Sequence, residues 1–353
     1  MMKRIFSLLL SMAMVLSLTA CNMSDTTETL QVETTVSDSV VSEDADASAY
    51  YPITVTDQAG RDVIIEKEPQ RLISAYYITT SLLMALDLDE KMVGIENDPE
   101  KRAVYGLSAP DLLALPTVGT AKELDIEACV ALEPDLMILP MKLKNTVEIL
   151  EDLDIDVLLV DPENQERLAG MIELVALASN KEEKAKQVLA FMDEQQEFLT
   201  ASLANVEKPS VYLAGNSSML KTAGEAMYQA NMIQLAGGVN VANEIEDTYW
   251  AEIDYEQLLA WNPEYIILAA EAVYTVEDVL SDPNLKECTA VMKGNVYRLP
   301  NKAEAWDSPV PGSILGAIWL ANILHEDKIS DVECAARIDS YYEKFYDFTY
   351  SKN

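Results

Sequence analysis

Histidine is almost absent. The chain of 353 residues has one, His325, so a Ser-His-Asp relay has a single position to draw on, and zinc sites built on several His ligands are excluded. Cysteine is scarce as well: there are four, at 21, 129, 288 and 334, with no C-x-x-C pair. That leaves no thiolate cluster and no thioredoxin-type redox motif. Positive charge is the third shortage. Lys and Arg number 25 against 60 Asp and Glu, a formal net charge of −35, whereas a nucleic-acid partner calls for basic faces toward phosphate. No G-x-S-x-G, P-loop or G-x-G-x-x-G stretch occurs, which removes the common signatures of acyl transfer and nucleotide binding. The remaining expectation is a protein that binds rather than one that catalyses.

What the chain does have is a stretch that occurs twice. Residues 126–139 read IEACVALEPDLMIL and residues 255–268 read YEQLLAWNPEYIIL. Glu127 aligns with Glu256, Pro134 with Pro263 and Asp135 with Glu264. In each copy an Asp two residues upstream of the Glu (Asp125, Asp254) suits an N-cap, because its carboxylate accepts an orphan backbone N–H. Apolar residues at helical spacing follow, then a proline that stops the helix, then a short apolar run that suits a buried strand. Cys129 falls on the apolar face of the first copy and reads as a buried thiol. Two such units predict two α/β lobes of similar plan.

The first 20 residues read as a signal peptide: Lys3 and Arg4, an apolar run, then Leu18-Thr-Ala-Cys21. The run is too short for an ordinary membrane span. Residues 21–49 carry seven acidic and no basic residues among Ser, Thr and Val, a composition that predicts a disordered acidic tether.

Downstream, Ile53-Thr-Val-Thr and Asp62-Val-Ile-Ile around Gly60 predict a hairpin. Strands alternating with helices through 160 predict parallel α/β layers. An amphipathic stripe over 180–205, with Asn180 and Glu183 spaced as a capping box, predicts one long helix of about 37 Å. It is a spine between the lobes, or else a long surface helix of one of them. Further helices are expected near 276–292, 312–325 and 330–347. His325 falls in the last turn of an apolar helix, where it suits the helix dipole. The expected division is 50–179 for an N-terminal lobe, 180–206 for a linking helix and 207–353 for a C-terminal lobe.

From about residue 52 to 325 the chain resembles the substrate-binding proteins of ABC importers for iron–siderophores, haem and cobalamin. The resemblance rests on Arg71-Leu-Ile-Ser, Met92-Val-Gly-Ile, Pro116-Thr-Val-Gly, the two Glu…Pro repeat units, Leu235-Ala-Gly-Gly-Val-Asn240 and Val296-Tyr-Arg-Leu-Pro300, in that order and spacing. It implies two α/β lobes joined by one long helix, with the ligand cleft between the lobes and neither enzymatic activity nor cofactor. The Leu-x-x-Cys ending resembles a bacterial lipobox, which implies lipidation of Cys21 and an extracytoplasmic, membrane-anchored protein. The family resemblance also implies that Glu127 and Glu256 dock onto the arginines of the two subunits of a transmembrane permease; a helix-dipole role in the first turn is the competing reading. Family ligands sit on loops after strands, so the implied cargo contacts are Tyr76, Tyr77, Met141, Lys142, Lys144, Asn216, Tyr249, Trp250 and Trp306, with ordinary loop packing as the alternative for each. The expected cargo is an iron(III) chelate of siderophore type, with haem, a corrinoid or an oxyanion such as molybdate as alternatives. A surface enzyme or a sensor module is the alternative of a different class.

Overall fold

The structure is a computed structural model and describes residues 50–246 and 250–352. Cys21, the leader and tether segments and Tyr249 lie outside the described residues. Among the described residues no helix is long and apolar enough to cross a membrane.

The first lobe opens with the expected hairpin, β1 (Ile53–Thr56) antiparallel to β2 (Asp62–Ile65). Asp57 ties this hairpin down: it accepts from Arg61 and from the Leu159 backbone N–H. The sheet is wholly parallel. Its strands β3 (Leu72–Ser74), β4 (Met92–Gly94), β5 (Leu136–Pro140) and β6 (Asp156–Val160) lie in the order β4-β3-β5-β6. Around it run α1 (Tyr77–Ala85), α2 (Ala103–Ser108), α3 (Ile126–Ala131), α4 (Val147–Glu151) and α5 (Gln165–Ala178). With helices on both faces, neighbouring residues of one strand enter different cores. Leu136 and Ile138 of β5 join one apolar cluster while Met137 and Leu139 join another.

One long helix follows, α6 (Glu182–Ser202). It starts later than the sequence suggests, and the expected capping box is not formed. Asn180 sits at φ +55°, just past the end of α5, so its side chain serves a left-handed stop rather than an N-cap. The N-cap is Lys181, which makes no side-chain cap bond.

The second lobe repeats the plan. It contains β7 (Ser210–Ala214), β8 (Lys221–Thr222), α7 (Tyr228–Leu235), β9 (Val239–Asn240), β10 (Ala251–Glu252), α8 (Tyr255–Trp261) and β11 (Tyr265–Leu268). Then come α9 (Val276–Leu280), α10 (Thr289–Lys293), β12 (Val296–Arg298), α11 (Ile314–Leu324) and α12 (Asp331–Phe345). Its four-stranded sheet is also parallel, in the order β12-β11-β7-β9, and β8 pairs with β10 alone. The single helix expected near 276–292 is two. Pro283 falls between them, and the Asp282 carboxylate accepts the Asn284 N–H at 2.8 Å, closing a turn there. α6 packs against α5 on one side and against α7 and α11 on the other. Its buried Val188, Phe191, Met192 and Leu199 belong to a single cluster that takes in residues of both sheets. The two lobes therefore share one continuous apolar core through this helix.

The internal repeat extends to individual hydrogen bonds. Asp125 accepts the Ala128 N–H at 2.9 Å and Asp254 the Gln257 N–H at 2.8 Å. Both helices end in a left-handed residue, Glu133 at φ +46° and Asn262 at φ +45°, just before the proline. Asp135 then accepts from the Arg71 N–H at 2.9 Å, and Glu264 from the Ser210 N–H at 3.0 Å. In each lobe the same carboxylate position pins the start of the neighbouring strand.

Candidate functional site

Open parallel sheets present a crevice at the carboxyl ends of their strands. In the first lobe, β3 ends at Ser74 and the chain turns through Tyr76 and Tyr77 into α1. This turn is held from inside. The Ser74 and Thr79 hydroxyls both donate to the Tyr76 carbonyl, at 2.9 and 2.8 Å. Behind them Thr80 and Tyr105 donate to the Glu96 carboxylate at 2.7 and 2.5 Å. Glu96 is buried, and burial raises its pKa against the pull of those two hydroxyls.

Tyr76 so placed lines a recess of about 210 Å³ together with Met141, Lys142 and Lys144 after β5, and Asp161 and Glu163 after β6. Asp161 is paired with Arg167 at the start of α5. Burial raises the Glu163 pKa and Asp161 adds to it, while Lys142 and Arg167 act the other way. Lys142 and Lys144 thus meet Asp161 and Glu163 at one mouth. In a chain of net charge −35 a recess whose two lysines balance its two carboxylates is a local relief from negative charge, and a low-dielectric wall strengthens the pull of those lysines on an incoming anion.

The second lobe supplies the facing loops. β7 ends at Ala214 and runs on into Gly215 and Asn216, and the Trp250 indole packs against Gly215. A Cβ there would stand 2.8 Å from the indole, so only glycine lets the ring lie close. The Asn216 carbonyl accepts the Val273 N–H at 2.9 Å, while its side-chain Oδ1 is buried with no hydrogen-bond partner among the described residues. A second recess, of about 380 Å³, spans both lobes between Asn164 and Glu166 on one side and Glu225, Asn231 and Asn243 on the other. It adjoins the first through the continuous segment from Asp161 to Glu166.

The proposed contacts therefore fall into separate groups. Tyr76, Lys142 and Lys144 come together in one recess, and Asn216 and Trp250 come together on the opposite lobe. Tyr77 goes elsewhere: its hydroxyl donates across the lobes to Ser308 Oγ at 2.6 Å. Trp306 does not stand in the cleft. It is 1 % exposed, and its Nε1 donates to the Tyr342 hydroxyl at 2.9 Å inside the core; its loop position suggests a cargo contact, but α12 packs over it. Glu163, Arg167 and the cross-lobe pair Arg102–Glu271 were missed. No local pattern marks Arg102, whose partner is 169 residues further along the chain.

Glu127 and Glu256 are exposed and lie in the first turns of α3 and α8. Each helix runs straight back into a strand of its sheet, so its first turn lies toward the strand ends that open on the cleft. His325 is 7 % exposed, caps the end of α11 and lies 3.1 Å from the Gly237 carbonyl. Cys129, Cys288 and Cys334 are all buried free thiols.

Comparison with known proteins agrees with this geometry. The molybdate-binding protein MolA of Haemophilus influenzae is 25% identical over 323 residues, 84% of this chain and 91% of that one. The structure of that MolA bound to molybdate superposes with a TM-score of 0.75 at 23% identity, covering 84% of this chain and 98% of its own. A vitamin B12-binding protein of Salmonella typhimurium is 30% identical over 170 residues, 48% of this chain and 64% of that one. Residues 72–303 match the family described as periplasmic binding protein. That span takes in both parallel sheets and the helix between them, and the chain accordingly belongs to the periplasmic binding protein family, as a solute-binding protein of an ABC importer and not an enzyme.

Proposed function

We propose that this protein captures a compact anionic solute in the cleft, an oxyanion of the molybdate class, and delivers it to its permease. The observation that carries this reading is the recess of about 210 Å³ where Tyr76, Lys142 and Lys144 meet. It is smaller than the ~300–1,000 Å³ of sites for drug-sized ligands, which argues against haem or a corrinoid lying wholly inside it. The Lys side chains offer charge-assisted hydrogen bonds to oxyanion oxygens. The similarity to a molybdate-binding relative over most of both chains supports the same class.

A ferric chelate of siderophore type is the second reading, favoured by the adjoining recess of about 380 Å³. A larger anionic chelate would place one charged edge against Lys142 and Lys144 and extend over the amide-lined side. Titration calorimetry with molybdate, tungstate, sulfate and ferric citrate separates the two readings. Saturable molybdate binding that Lys142→Ala/Lys144→Ala weakens at least ~tenfold, about 1.4 kcal/mol, supports the first. Ferric citrate binding without molybdate binding supports the second, and neither would remove the anion reading.

Delivery is proposed through Glu127 and Glu256, which read two permease subunits at a fixed separation. Anchoring is proposed through a lipidated Cys21, with residues 21–49 as the spacer that holds the body near the outer face of the membrane.

A further inference from the structure

We propose that Tyr77 and Arg102 of the first lobe, gripped by Ser308 and Glu271 of the second, form a latch that sets the width of the cleft before cargo enters. The inference rests on this cleft being the capture site but on no particular cargo. Three of the contacts that cross between the lobes carry the latch. Tyr77 donates to Ser308 Oγ at 2.6 Å. The Arg102 guanidinium lies 4.0 Å over the Tyr77 ring and donates to Glu271 Oε1. The Val104 N–H donates to the Ala303 carbonyl at 3.2 Å. All of the second-lobe partners follow β11 or β12, on the carboxyl side of the sheet.

The parts are arranged so that none acts alone. The stack on Arg102 holds the Tyr77 ring, and the same ring directs the hydroxyl toward Ser308. A planar, delocalised guanidinium can stack on the ring face while its N–H groups reach the carboxylate, a geometry that a point-like ammonium matches less well. Asp307 positions the second-lobe half. Its carboxylate accepts the Ala270 N–H at 3.2 Å, fixing the residue before Glu271, and its own carbonyl accepts from the Gln229 amide at 2.7 Å. Asp307 is 4 % exposed and immediately precedes Ser308. One buried side chain thus orders both groups that the first lobe grips.

The latch is also next to the recess. Tyr76 and Tyr77 are consecutive, with ring centroids 5.6 Å apart at 74°. A solute that shifts Tyr76 must press on the ring that carries the latch. On the other flank, Gln165 donates to the Tyr228 hydroxyl at 3.3 Å, a longer and neutral contact. The half-exposed Arg102–Glu271 pair is weak by itself, which suits a contact that must release and reform. The shared core behind α6 then limits opening to a small change of angle.

The test uses the ligand-free full chain and hydrogen–deuterium exchange at residues 77–82 and 269–273. Arg102→Glu and Glu271→Arg are each expected to speed exchange in both segments ~tenfold, and the combined swap to return them to within ~twofold of the original. A single substitution that leaves the opposite lobe's segment unchanged overturns the latch, as does a combined swap as loose as either single one. Tyr77→Phe keeps the ring under Arg102 and removes only the hydroxyl. Faster exchange at 305–310 is expected from it, and unchanged exchange there overturns the Tyr77–Ser308 half even if the charge variants fail to fold. Molybdate affinity of the unaltered chain is measured separately, so a failed cargo assignment and a failed latch give different results.

Discussion

Trp306 donates its indole N–H to the Tyr342 hydroxyl at 2.9 Å, and Tyr342 in turn donates to the Glu304 carboxylate at 3.1 Å. All three are buried, Tyr342 on α12 itself and the other two beneath it. Trp306→Ala is therefore expected to act on stability and not on cargo. Removing so large a buried ring costs about 3–5 kcal/mol. Urea denaturation should show that loss, while the folded fraction binds cargo with unchanged affinity. A weakened affinity at full stability would return the ring to the cleft.

Glu304 adds a pH dependence. Burial raises its carboxyl to about 7 from an ordinary value of 4.5, against the opposing pull of the Ser81 and Tyr342 hydroxyls. The folded chain thus holds a proton that the unfolded chain has already released, so this group's contribution is full below about pH 4.5 and falls as pH rises through about 7. Glu304→Gln keeps the shape and cannot ionise. It should match the original near pH 4 and exceed it at pH 8 by about 3 kcal/mol, as read from urea midpoints at the two pH values. Equal midpoints at pH 8 would mean that the site ionises without penalty.

The docking proposal turns on two exposed carboxylates. Glu127 and Glu256 have no ion pair among the described residues and sit at equivalent turns of α3 and α8. Reversing both to Lys should lower cellular uptake at least ~tenfold, since Lys would then face the permease arginines that the docking proposal invokes, and like charges across an interface cost several kcal/mol. Cargo affinity of the purified chain should not change, and stability should fall by only about 0.3–1 kcal/mol per site from the lost helix-dipole interaction. Normal uptake at normal expression would leave both residues with that dipole role alone.

Anchoring depends on Cys21. Cys21→Ala is expected to shift the protein from the membrane fraction to the soluble fraction, or to stop its processing, with a matching change in N-terminal mass. Retention on the membrane at unchanged mass would sink the lipid-anchor proposal.

The repeated Glu…Pro units made the two-lobed plan legible from residues alone. Capping aspartates, the stop before each proline and the apolar runs act over a few residues, and their hydrogen bonds appear where the pattern predicts them. The long helix was legible for the same reason, although Asn180 took the left-handed stop of α5 rather than the cap of α6; the two roles draw on the same residue type. Pro283 between α9 and α10 is a local stop signal that an expectation of one helix over 276–292 passes over. Strand ends with Tyr76, Lys142 and Lys144 could be named because a parallel sheet puts such loops on one side. Which neighbours meet there was decided by tertiary structure. Trp306 and Tyr77 occupy loops of similar composition, yet α12 buries the first while Arg102 and Ser308 hold the second between the lobes. Burial and pairing across more than a hundred residues depend on how whole layers pack, and no short-range pattern in the chain encodes them.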